Sequence, residues 1–313
     1  MLLLLGLLAA GALTAGCSNG GPTYAPGGVT LATGGTRGVY YAFGSEVGAV
    51  AGRRLPGAPV TVLPTSGSVE NLRRAAAAPR IFAFSALDAA TDAVQGTGPF
   101  TRPLRVAAVA RVYDDYFHVV VPASSGLRAL PDLVGHRVSL GAPGSGTALI
   151  AQRVLSTAGI DPRRVTDLGL GIDESIDALA EGRIDAFFWS GGVPTTGIAD
   201  LAARLPLRLL PLGDLAGQMR ERYGTSYRAA TLPADPYGLD SPVDTLAVPN
   251  LIVTSVDTDP ALVEAFTRLL FEGRAEIART VPLAGALDRR SAIFTSPVPL
   301  HPGALAWYRA TQS

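Results

Sequence analysis

The chain has 313 residues, of which 26 are basic and 26 are acidic, and all of the basic ones are arginines. Because positive charge is not in excess, the composition does not favour nucleic-acid binding. The only cysteine is Cys17, which excludes an intramolecular disulfide, a cysteine-rich metal site and a cysteine nucleophile in the folded body. The hydrophobic fraction of 48% is typical of a globular protein, and the length is enough for two domains.

The N-terminal apolar run of roughly sixteen residues is shorter than the roughly twenty that span a membrane, and it ends in small residues. It therefore predicts a cleaved signal peptide over residues 1–16. The sequence Leu13-Thr14-Ala15-Gly16-Cys17 resembles a bacterial lipobox, in which the cysteine thiol receives diacylglycerol. We accordingly predict that Cys17 is lipidated and that residues 17–27 form a flexible tether. The alternative is an ordinary secretory signal with an incidental cysteine.

Strand and helix patterns alternate along the next part of the chain. The predicted strands cover residues 28–32, 60–63, 81–85, 106–112 and 117–121. The predicted helices cover residues 39–53, 68–77 and 87–94, with Ser68 as a candidate N-cap. Such alternation predicts a largely parallel sheet covered by helices.

A second α/β series begins after Pro122. A strand over residues 138–140 leads through a glycine-rich turn into a helix over residues 147–158, which ends before Gly159. The alternation continues over residues 164–170, 174–181, 184–189, 194–203 and 207–211. The pattern then predicts one long β segment over residues 244–255 and one long helix over residues 260–279. Two such series predict two lobes, with a chain that crosses between them more than once.

The glycine-rich turn of the second series has the sequence GAPGSGT, beginning at Gly141. Turns of this kind between a strand and a helix often bind phosphate, because the backbone N–H groups and the helix dipole both point at the ligand. This turn lacks the lysine of a GxxxxGK[ST] loop and does not fit GxGxxG. It therefore indicates an anion site that does not hold a nucleotide.

Six segments together resemble a known family. In chain order they are LATGGTRGVYYAFG, TSGSVENL, GAPGSGTALIA, GRIDAFFWSGGVP, LPADPYGL with the following VDTLAVPNLIVTS, and PLHPGALAWY. They are similar to the landmarks of the TAXI family, the extracytoplasmic solute-binding proteins of one class of tripartite (TRAP) transporters. The resemblance covers nearly all of the chain beyond the predicted signal peptide.

The resemblance implies an α/β fold of the periplasmic-binding-protein type (type II), in which two α/β lobes are joined by a two-crossover hinge and enclose a ligand cleft. Lobe I would contain residues 28–122 and 245–313, and lobe II residues 123–244. The protein would bind a small carboxylate such as glutamate, glutamine or a 2-oxo dicarboxylate, close around it, and deliver it to the membrane permease subunits. A binding protein of similar fold that serves an ATP-driven (ABC) importer or a sensor kinase is the alternative.

Three loops lie where strands enter helices, which is where open α/β sheets bind ligands. Their glycines uncover backbone N–H groups, and their serines and threonines add hydroxyl donors. A carboxylate at such a helix N-terminus gains charge-assisted hydrogen bonds. The residues expected to bind are Gly35, Thr36, Arg37, Ser66, Ser68, Ser145, Gly146 and Thr147. For each loop, the alternative is an ordinary turn capped by serine or threonine.

Further candidates flank these loops. Arg37 could bind a ligand carboxylate through two hydrogen bonds, or lie on the solvated surface. Tyr40 could form an aromatic wall or pack in the core. Asn71 could point toward the loop at Ser66 or cap a helix. Trp189 could form a second wall beside exposed backbone, or be buried by packing. The remaining candidates are Ser85, Gly191, Gly192, Pro194 and Tyr237.

The sequence offers little support for an enzyme. The three histidines are scattered at positions 118, 136 and 301, and no HExxH motif is present. His118 lies in an apolar segment and is expected to be structural, while Asp114-Asp115 resembles a turn with solvated carboxylates. Porphobilinogen deaminase has a related two-lobed fold but tethers its cofactor to a cysteine, which this chain lacks in its folded body. We predict no catalytic residue, no metal and no cofactor.

Overall fold

The computed structural model of the protein describes residues 24–311. The predicted signal peptide and the predicted lipidation residue Cys17 lie outside the described residues. Within the described range, none of the helices combines the length and the apolar character that a membrane crossing requires.

The strands of the described residues form one mixed sheet of ten strands. They are β1 (Val29–Ala32), β2 (Val60–Leu63), β3 (Ile81–Ala86), β4 (Val106–Pro122), β5 (Arg137–Ser139), β6 (Thr166–Asp167), β7 (Ala186–Gly191), β8 (Leu207–Leu209), β9 (Arg228–Leu232) and β10 (Val243–Ser255). Their order is β2-β1-β3-β10-β4-β7-β5-β6, with β8 paired to β4 and β9 paired to β10.

Two groups of parallel strands lie at opposite ends of this sheet. Strands β1, β2 and β3 run parallel in the first half, and β5, β6 and β7 run parallel in the second half. The long strands β4 and β10 lie between the two groups and are antiparallel to each other and to their neighbours β7 and β3. The two halves of the sheet are therefore joined by two strands that extend into both.

Helices cover both faces of the sheet. They are α1 (Val39–Arg54), α2 (Ser68–Ala77), α3 (Leu87–Gln95), α4 (Gly146–Thr157), α5 (Ile172–Ala180), α6 (Thr196–Ala202), α7 (Ala216–Tyr223), α8 (Pro260–Glu272), α9 (Arg274–Ile277), α10 (Arg289–Ala292) and α11 (Pro302–Ala310). Helices α1 to α3 and α8 to α11 pack on the first half, and α4 to α7 pack on the second. The predicted α/β architecture, with two sets of parallel strands covered by helices, is confirmed.

Successive side chains of a β-strand point to opposite faces of the sheet. In each half of this sheet, helices bury the side chains on both faces. In β3, Phe82 and Phe84 pack beneath α1 and α8, whereas Ala83 between them packs beneath α2 and α3. In β7, Phe188 faces α4 and α7, whereas Phe187 faces α5 and α6. Near-continuous apolar strands in the sequence result from this two-sided burial.

The predicted turn at Asp114 and Asp115 is wrong, because β4 continues through both residues as a single strand. Asp114 and Asp115 stand opposite Pro249 and Val248 of β10 in the ladder. Each carboxylate has a partner that allows it to remain in the strand. Arg111 Nη2 lies 2.8 Å from Asp114 Oδ1, and Ser190 Oγ donates to Asp115 Oδ2 at 3.1 Å.

The single long helix predicted over residues 260–279 is also wrong, because the chain breaks at Gly273 between α8 and α9. Gly273 lies against α1, where an added Cβ would come within 2.9 Å of Val50 Cγ1. The break therefore lies where the end of α8 packs against α1.

Candidate functional site

A cavity of about 450 Å³ lies between the two halves of the sheet, beyond the carboxyl ends of their parallel strands. Loops from both halves and one stretch of β4 form its wall. Of the residues predicted from the sequence, Gly35, Tyr40, Ser66, Ser68, Ser145, Gly146, Thr147, Trp189 and Gly191 line the cavity. The three predicted loops therefore meet at one place, although they are far apart in the chain.

Four helices begin at the wall of this cavity. Their N-cap residues are Gly38 for α1, Gly67 for α2, Ser145 for α4 and Gly171 for α5. The three glycine caps provide no side-chain acceptor, whereas Ser145 Oγ accepts from Ala148 N at 3.0 Å. The first N–H groups of a helix have no partner within it, and the dipole is positive at this end. Together the four ends direct the positive ends of their helix dipoles toward the cavity.

The fourth of these helix ends, the N-terminus of α5, is not among the loops predicted from the sequence. Gly169, Gly171, Ile172 and Asp173 line the cavity where β6 leads into α5. Their segment GLGID repeats the pattern of glycines before a helix that marked the other loops. The apolar residues around it made the segment read as a strand, although β6 itself spans only Thr166–Asp167.

The loops that begin α2 and α4 touch each other across the cavity. Glu70 N donates to Gly144 O at 3.0 Å, so backbone of the first half bonds to backbone of the second. A Cβ on Gly146 would lie 2.6 Å from Ser68 Oγ, and one on Gly67 would lie 3.6 Å from Ser145 Cβ. Gly146 thus allows an approach that a larger residue would prevent, whereas the distance at Gly67 is an ordinary van der Waals contact.

Thr36 and Arg37 do not line the cavity, contrary to expectation. Thr36 N and Oγ1 donate to Asp173 Oδ2 at 2.9 and 2.8 Å, and Arg37 N donates to Asp173 Oδ1 at 2.9 Å. The Arg37 guanidinium also bonds to Asp177 Oδ1 at 2.7 Å. Both residues are exposed, and their partners lie on α5 of the other half. They therefore join the two halves at the rim.

Asn71 and Ser85 are buried behind the wall and do not face the cavity. Asn71 Nδ2 donates to Thr33 O at 2.6 Å and to Phe84 O at 2.8 Å, and its Oδ1 accepts from Thr65 Oγ1 at 2.7 Å. These bonds fix the ends of β1 and β3 relative to the loop before α2. Ser85 Oγ donates to Ala86 O at 3.0 Å and is fully buried.

Tyr40 forms an aromatic wall of the cavity, stacked on Phe84 with ring centroids 5.0 Å apart. Its hydroxyl donates to Asn250 Oδ1 and lies 3.5 Å from Ser68 Oγ. Burial raises the pKa of the Tyr40 hydroxyl well above its usual range, and the nearby Asp115 raises it further. The side chain is therefore neutral.

Trp189 forms a second wall of the cavity, whereas Gly192 and Pro194 lie away from the cavity. Its Nε1 donates to Thr195 Oγ1 at 2.9 Å, and the ring covers Gly38 at the start of α1. Gly192 is buried beneath Leu283, and Pro194 is exposed. Neither lines the cavity.

Tyr237 and His118 form a buried pair behind Trp189. The Tyr237 hydroxyl accepts from Thr195 N at 2.9 Å and lies 3.3 Å from His118 Nε2. Tyr237 therefore supports the Trp189 segment and does not reach the cavity. Burial lowers the pKa of His118 to about 4, although its bond to Tyr116 O opposes this. His118 is therefore neutral and lies within the buried pair.

Asp115 is the cavity residue that differs most from expectation. Only 2% of its surface is exposed, and it lines the cavity together with Tyr113 on the same face of β4. Its Oδ2 accepts from Ser190, whereas its Oδ1 is buried without a hydrogen-bond partner. Burial raises the pKa of Asp115 to about 7, against the lowering effect of Ser190 and the nearby Asn250 amide.

A buried charge cluster joins the two halves beside the cavity. Arg153 Nη1 of α4 lies 3.2 Å from Asp88 Oδ2 of α3, and Arg153 Nη2 also pairs with Asp92. The Tyr227 hydroxyl donates to Asp88 Oδ2. The Asp88 side chain is fully buried, and burial raises its pKa, although Arg153 and Tyr227 lower it.

Among residues 24–311, the structure places no three histidine, cysteine, aspartate or glutamate side chains where they could jointly hold a metal ion. The sequence pattern of the NMT1-like family matches residues 31–310. The chain therefore belongs to the NMT1-like family.

Solved structures with a similar fold include periplasmic and solute-binding proteins. The alkanesulfonate-binding protein SsuA from Xanthomonas axonopodis pv. citri, bound to MOPS, is 18% identical, with a TM-score of 0.51 and 92% of each chain covered. MatC from Rhodopseudomonas palustris, with bound malate, is 15% identical, with a TM-score of 0.55 over 89% of this chain and 93% of that one. The periplasmic binding protein BugD is 13% identical, with a TM-score of 0.57 over 90% and 93%. At these identities the similarity establishes the fold.

Proposed function

We propose that this protein is an extracytoplasmic solute-binding protein, which captures a small carboxylate in the cavity and delivers it to a membrane permease. One observation carries the proposal. Four helix N-termini, two from each half of the sheet, meet at one cavity. Backbone N–H groups and helix dipoles of this kind bind carboxylates without a full counter-charge.

The size and the wall of the cavity suit a small polar ligand. A volume of about 450 Å³ lies within the range of small-molecule sites, roughly 300–1,000 Å³. Tyr40 and Trp189 offer apolar surface, while Ser68 and Thr147 offer hydroxyl groups. The Ser66 hydroxyl already donates to Glu70 Oε2 at 2.7 Å. This mixture of aromatic walls and a few polar groups fixes the orientation of a ligand.

We further propose that ligand capture is a hinge motion of two lobes, residues 28–122 with 245–313 and residues 123–244. The hinge would lie in β4 and β10, the two strands that extend into both halves. The bonds of Arg37 to Asp177 and of Glu70 to Gly144 would form on closure. A ligand drives closure only through contacts that it makes in the closed state alone.

The resemblance of the six motifs to the TAXI family supports a more specific proposal. The partner would be a TRAP permease, and the ligand glutamate, glutamine or a 2-oxo dicarboxylate. Malate in MatC and a sulfonic acid buffer in SsuA are acids held by proteins of the same fold. The apolar N-terminus and Cys17 support a lipid anchor on the outer face of a membrane.

Thermal unfolding with a panel of small acids tests the ligand class. The panel contains L-glutamate, L-glutamine, 2-oxoglutarate and malate, with glucose as an uncharged control. Ligand at 100 times its dissociation constant stabilises the folded state by about 2.7 kcal/mol, which is an easily measured shift in Tm. A shift with at least one acid and none with glucose is expected. Unchanged Tm across all carboxylic acids would refute the anion site.

Uptake into proteoliposomes tests the partner. Vesicles carry a TRAP permease, and the acid that gave the Tm shift is supplied with and without this protein. We expect uptake that requires both the protein and an ion gradient. Uptake that requires ATP and an ABC importer would instead support the alternative.

A further inference from the structure

The loop that leads into α1 holds a carboxylate that belongs to the chain itself. Both oxygens of Asp173, in the first turn of α5, accept hydrogen bonds from this loop. Oδ2 accepts from Thr36 N at 2.9 Å and from Thr36 Oγ1 at 2.8 Å, and Oδ1 accepts from Arg37 N at 2.9 Å. Hydrogen bonds to an ionised carboxylate are stronger than those between neutral groups. The anion at this loop therefore comes from the opposite half of the sheet.

The neighbouring residues fit the loop closely to α5. An added Cβ on Gly35 would lie 2.8 Å from Ile172 Cγ2, so a larger residue here would push the two segments apart. Arg37 Nη1 donates to Asp173 O at 3.2 Å and to Asp177 Oδ1 at 2.7 Å. These two bonds join positions that are 136 and 140 residues apart in the chain. The contact thus uses several groups on each side, unlike a single exposed ion pair.

Helix α1 lacks a negative charge of its own at its N-terminus. Its N-cap, Gly38, provides no side-chain acceptor, and its first turn contains no acidic residue. Helix α5 has Asp173 and Glu174 in its first turn. Because the positive end of a helix dipole favours a nearby anion, Asp173 stabilises the start of α1 as well as the start of its own helix. It does so only while α1 and α5 lie together, as they do in this structure.

We propose that Asp173 holds the cavity closed, because its carboxylate occupies the loop before α1 in the position that a ligand carboxylate would otherwise take. The donors of Thr36 and Arg37 are then used by the chain, and the ligand binds at the remaining loops. This inference rests on the proposed function, because it requires an acid ligand and a motion of the two halves. Asp173 is a positioning residue, since it acts on the arrangement of the halves.

The contribution of Asp173 to ligand binding follows from two linked equilibria. The ligand binds the closed arrangement better than the open one, and the Asp173 contact stabilises the same closed arrangement. The apparent dissociation constant rises as the closed fraction of the ligand-free protein falls. Removal of the Asp173 carboxylate therefore weakens binding, although no contact with the ligand is lost.

Isothermal titration of the full chain with L-glutamate, 2-oxoglutarate and malate tests the inference. Asp173→Ala should bind each acid that the parent binds at least about tenfold more weakly, because three hydrogen bonds to a charged acceptor are lost from the closed state. Thermal unfolding of the variant without ligand confirms that it folds.

Formate distinguishes a positioning role from a general loss of structure. It has the size of the carboxylate that Asp173→Ala removes, and it can reach the loop because Thr36 and Arg37 are exposed. Added formate should recover part of the lost affinity, since an anion between the two helix starts favours the same arrangement. In the parent, where Asp173 fills this position, formate should not strengthen binding. Sodium chloride at the same ionic strength should recover nothing in the variant.

Asp132→Ala is the matched control. The Asp132 carboxylate also accepts from two backbone N–H groups, Arg128 N at 2.8 Å and Ala129 N at 3.0 Å, but all three residues lie in one half. The control should keep the affinity of the parent and should not gain affinity from formate.

The outcomes separate this inference from the proposed function. Tighter binding by Asp173→Ala would mean that a ligand carboxylate displaces Asp173 from the loop, and unchanged binding would mean that the contact does not affect closure. Either result, or weaker binding that formate does not restore, would overturn the inference and leave the proposed function intact. Absence of binding between the parent and every acid would overturn the proposed function, and the inference with it.

Discussion

The Arg153 guanidinium of α4 and the Asp88 carboxylate of α3 lie 3.2 Å apart, so a buried ion pair joins the two halves of the sheet. Only 11% of the Arg153 side chain is exposed, and none of Asp88. Removing one partner of such a pair leaves the other charge buried and uncompensated, which costs about 3–5 kcal/mol.

Arg153→Met should therefore lower the free energy of unfolding at pH 8 by about 3–5 kcal/mol, measured by urea denaturation. The loss should become smaller as pH falls, because burial raises the pKa of Asp88 and protonation removes its uncompensated charge. Arg163→Met is the control, since Arg163 pairs with Asp161 and its side chain is 89% exposed. Equal losses for the two variants would contradict the role of the buried pair.

Arg37 and Asp177 form an exposed ion pair at the rim of the cavity, with 43% and 44% of their side chains exposed. Exposed ion pairs contribute about 0.2–1 kcal/mol to the stability of the state in which they form. Because this pair would form on closure, Arg37→Met should weaken ligand binding less than about tenfold. Asp177→Asn should have a similar effect, and the double variant should lose no more than either single one. These comparisons are made by titration with the acid that gives the largest Tm shift.

A loss of more than about 100-fold for Arg37→Met, with little change for Asp177→Asn, would show that Arg37 contacts the ligand itself. That result would restore the direct role that the sequence predicted for Arg37.

Gly146 lies where the loops of α2 and α4 approach most closely. Its Cβ would lie 2.6 Å from Ser68 Oγ, so Gly146→Ala should push the two loops apart and weaken ligand binding at least about tenfold. Gly52→Ala is the matched control, because nothing lies within 4 Å of its added Cβ in α1. The control should keep its affinity and stabilise the helix by about 0.5–1 kcal/mol. Unchanged affinity for Gly146→Ala would contradict the close contact.

The buried, neutral His118 should make the folded state less stable in acid. Its ordinary pKa of 6.5 falls to about 4 in the folded state, because burial disfavours the charged ring. The unfolded chain therefore binds more protons between these values, and this contribution to stability is lost as pH falls from about 6.5 to about 4. The loss amounts to about 3 kcal/mol. Asp115 acts in the opposite direction, because its folded pKa is raised from 3.8 to about 7.

The two contributions are separated by comparing variants by urea unfolding from pH 4 to pH 8. The stability of His118→Asn relative to the parent should rise by up to about 3 kcal/mol as pH falls across this window. His136→Asn, whose parent side chain is 45% exposed, is the control. A constant difference between His118→Asn and the parent over the whole range would contradict a buried neutral His118.

Local patterns in the sequence were sufficient for most of the elements that build the site. Helix α2 and strand β2 have the predicted bounds, and the strand–turn–helix order places the loops at Ser66 and Gly146 at the carboxyl ends of strands. Apolar periodicity and glycine placement are properties of neighbouring residues, so a single chain reveals them. The same reasoning identified Ser145 as part of a helix start, where it is the N-cap of α4.

Asp115 illustrates what such patterns miss. Two adjacent aspartates in an apolar segment suggest a turn, because charged residues are seldom buried without partners. Here Ser190, 75 residues further along the chain, supplies one hydrogen bond, and β10 continues the ladder past Asp115. The alternation of Tyr113, Asp115 and Phe117 on one face of β4 was the only local signal for the strand.

The sequence by itself determined the order of strands and helices and the positions of the glycine-rich helix starts, because period and turn chemistry depend on residues a few positions apart. Only the tertiary structure decided which side chains face the cavity. Arg37 turns away because Asp173 and Asp177 lie opposite it, and Asp115 faces inward because a partner strand keeps β4 continuous. Both depend on residues more than 100 positions away, and no local pattern records contacts at that separation.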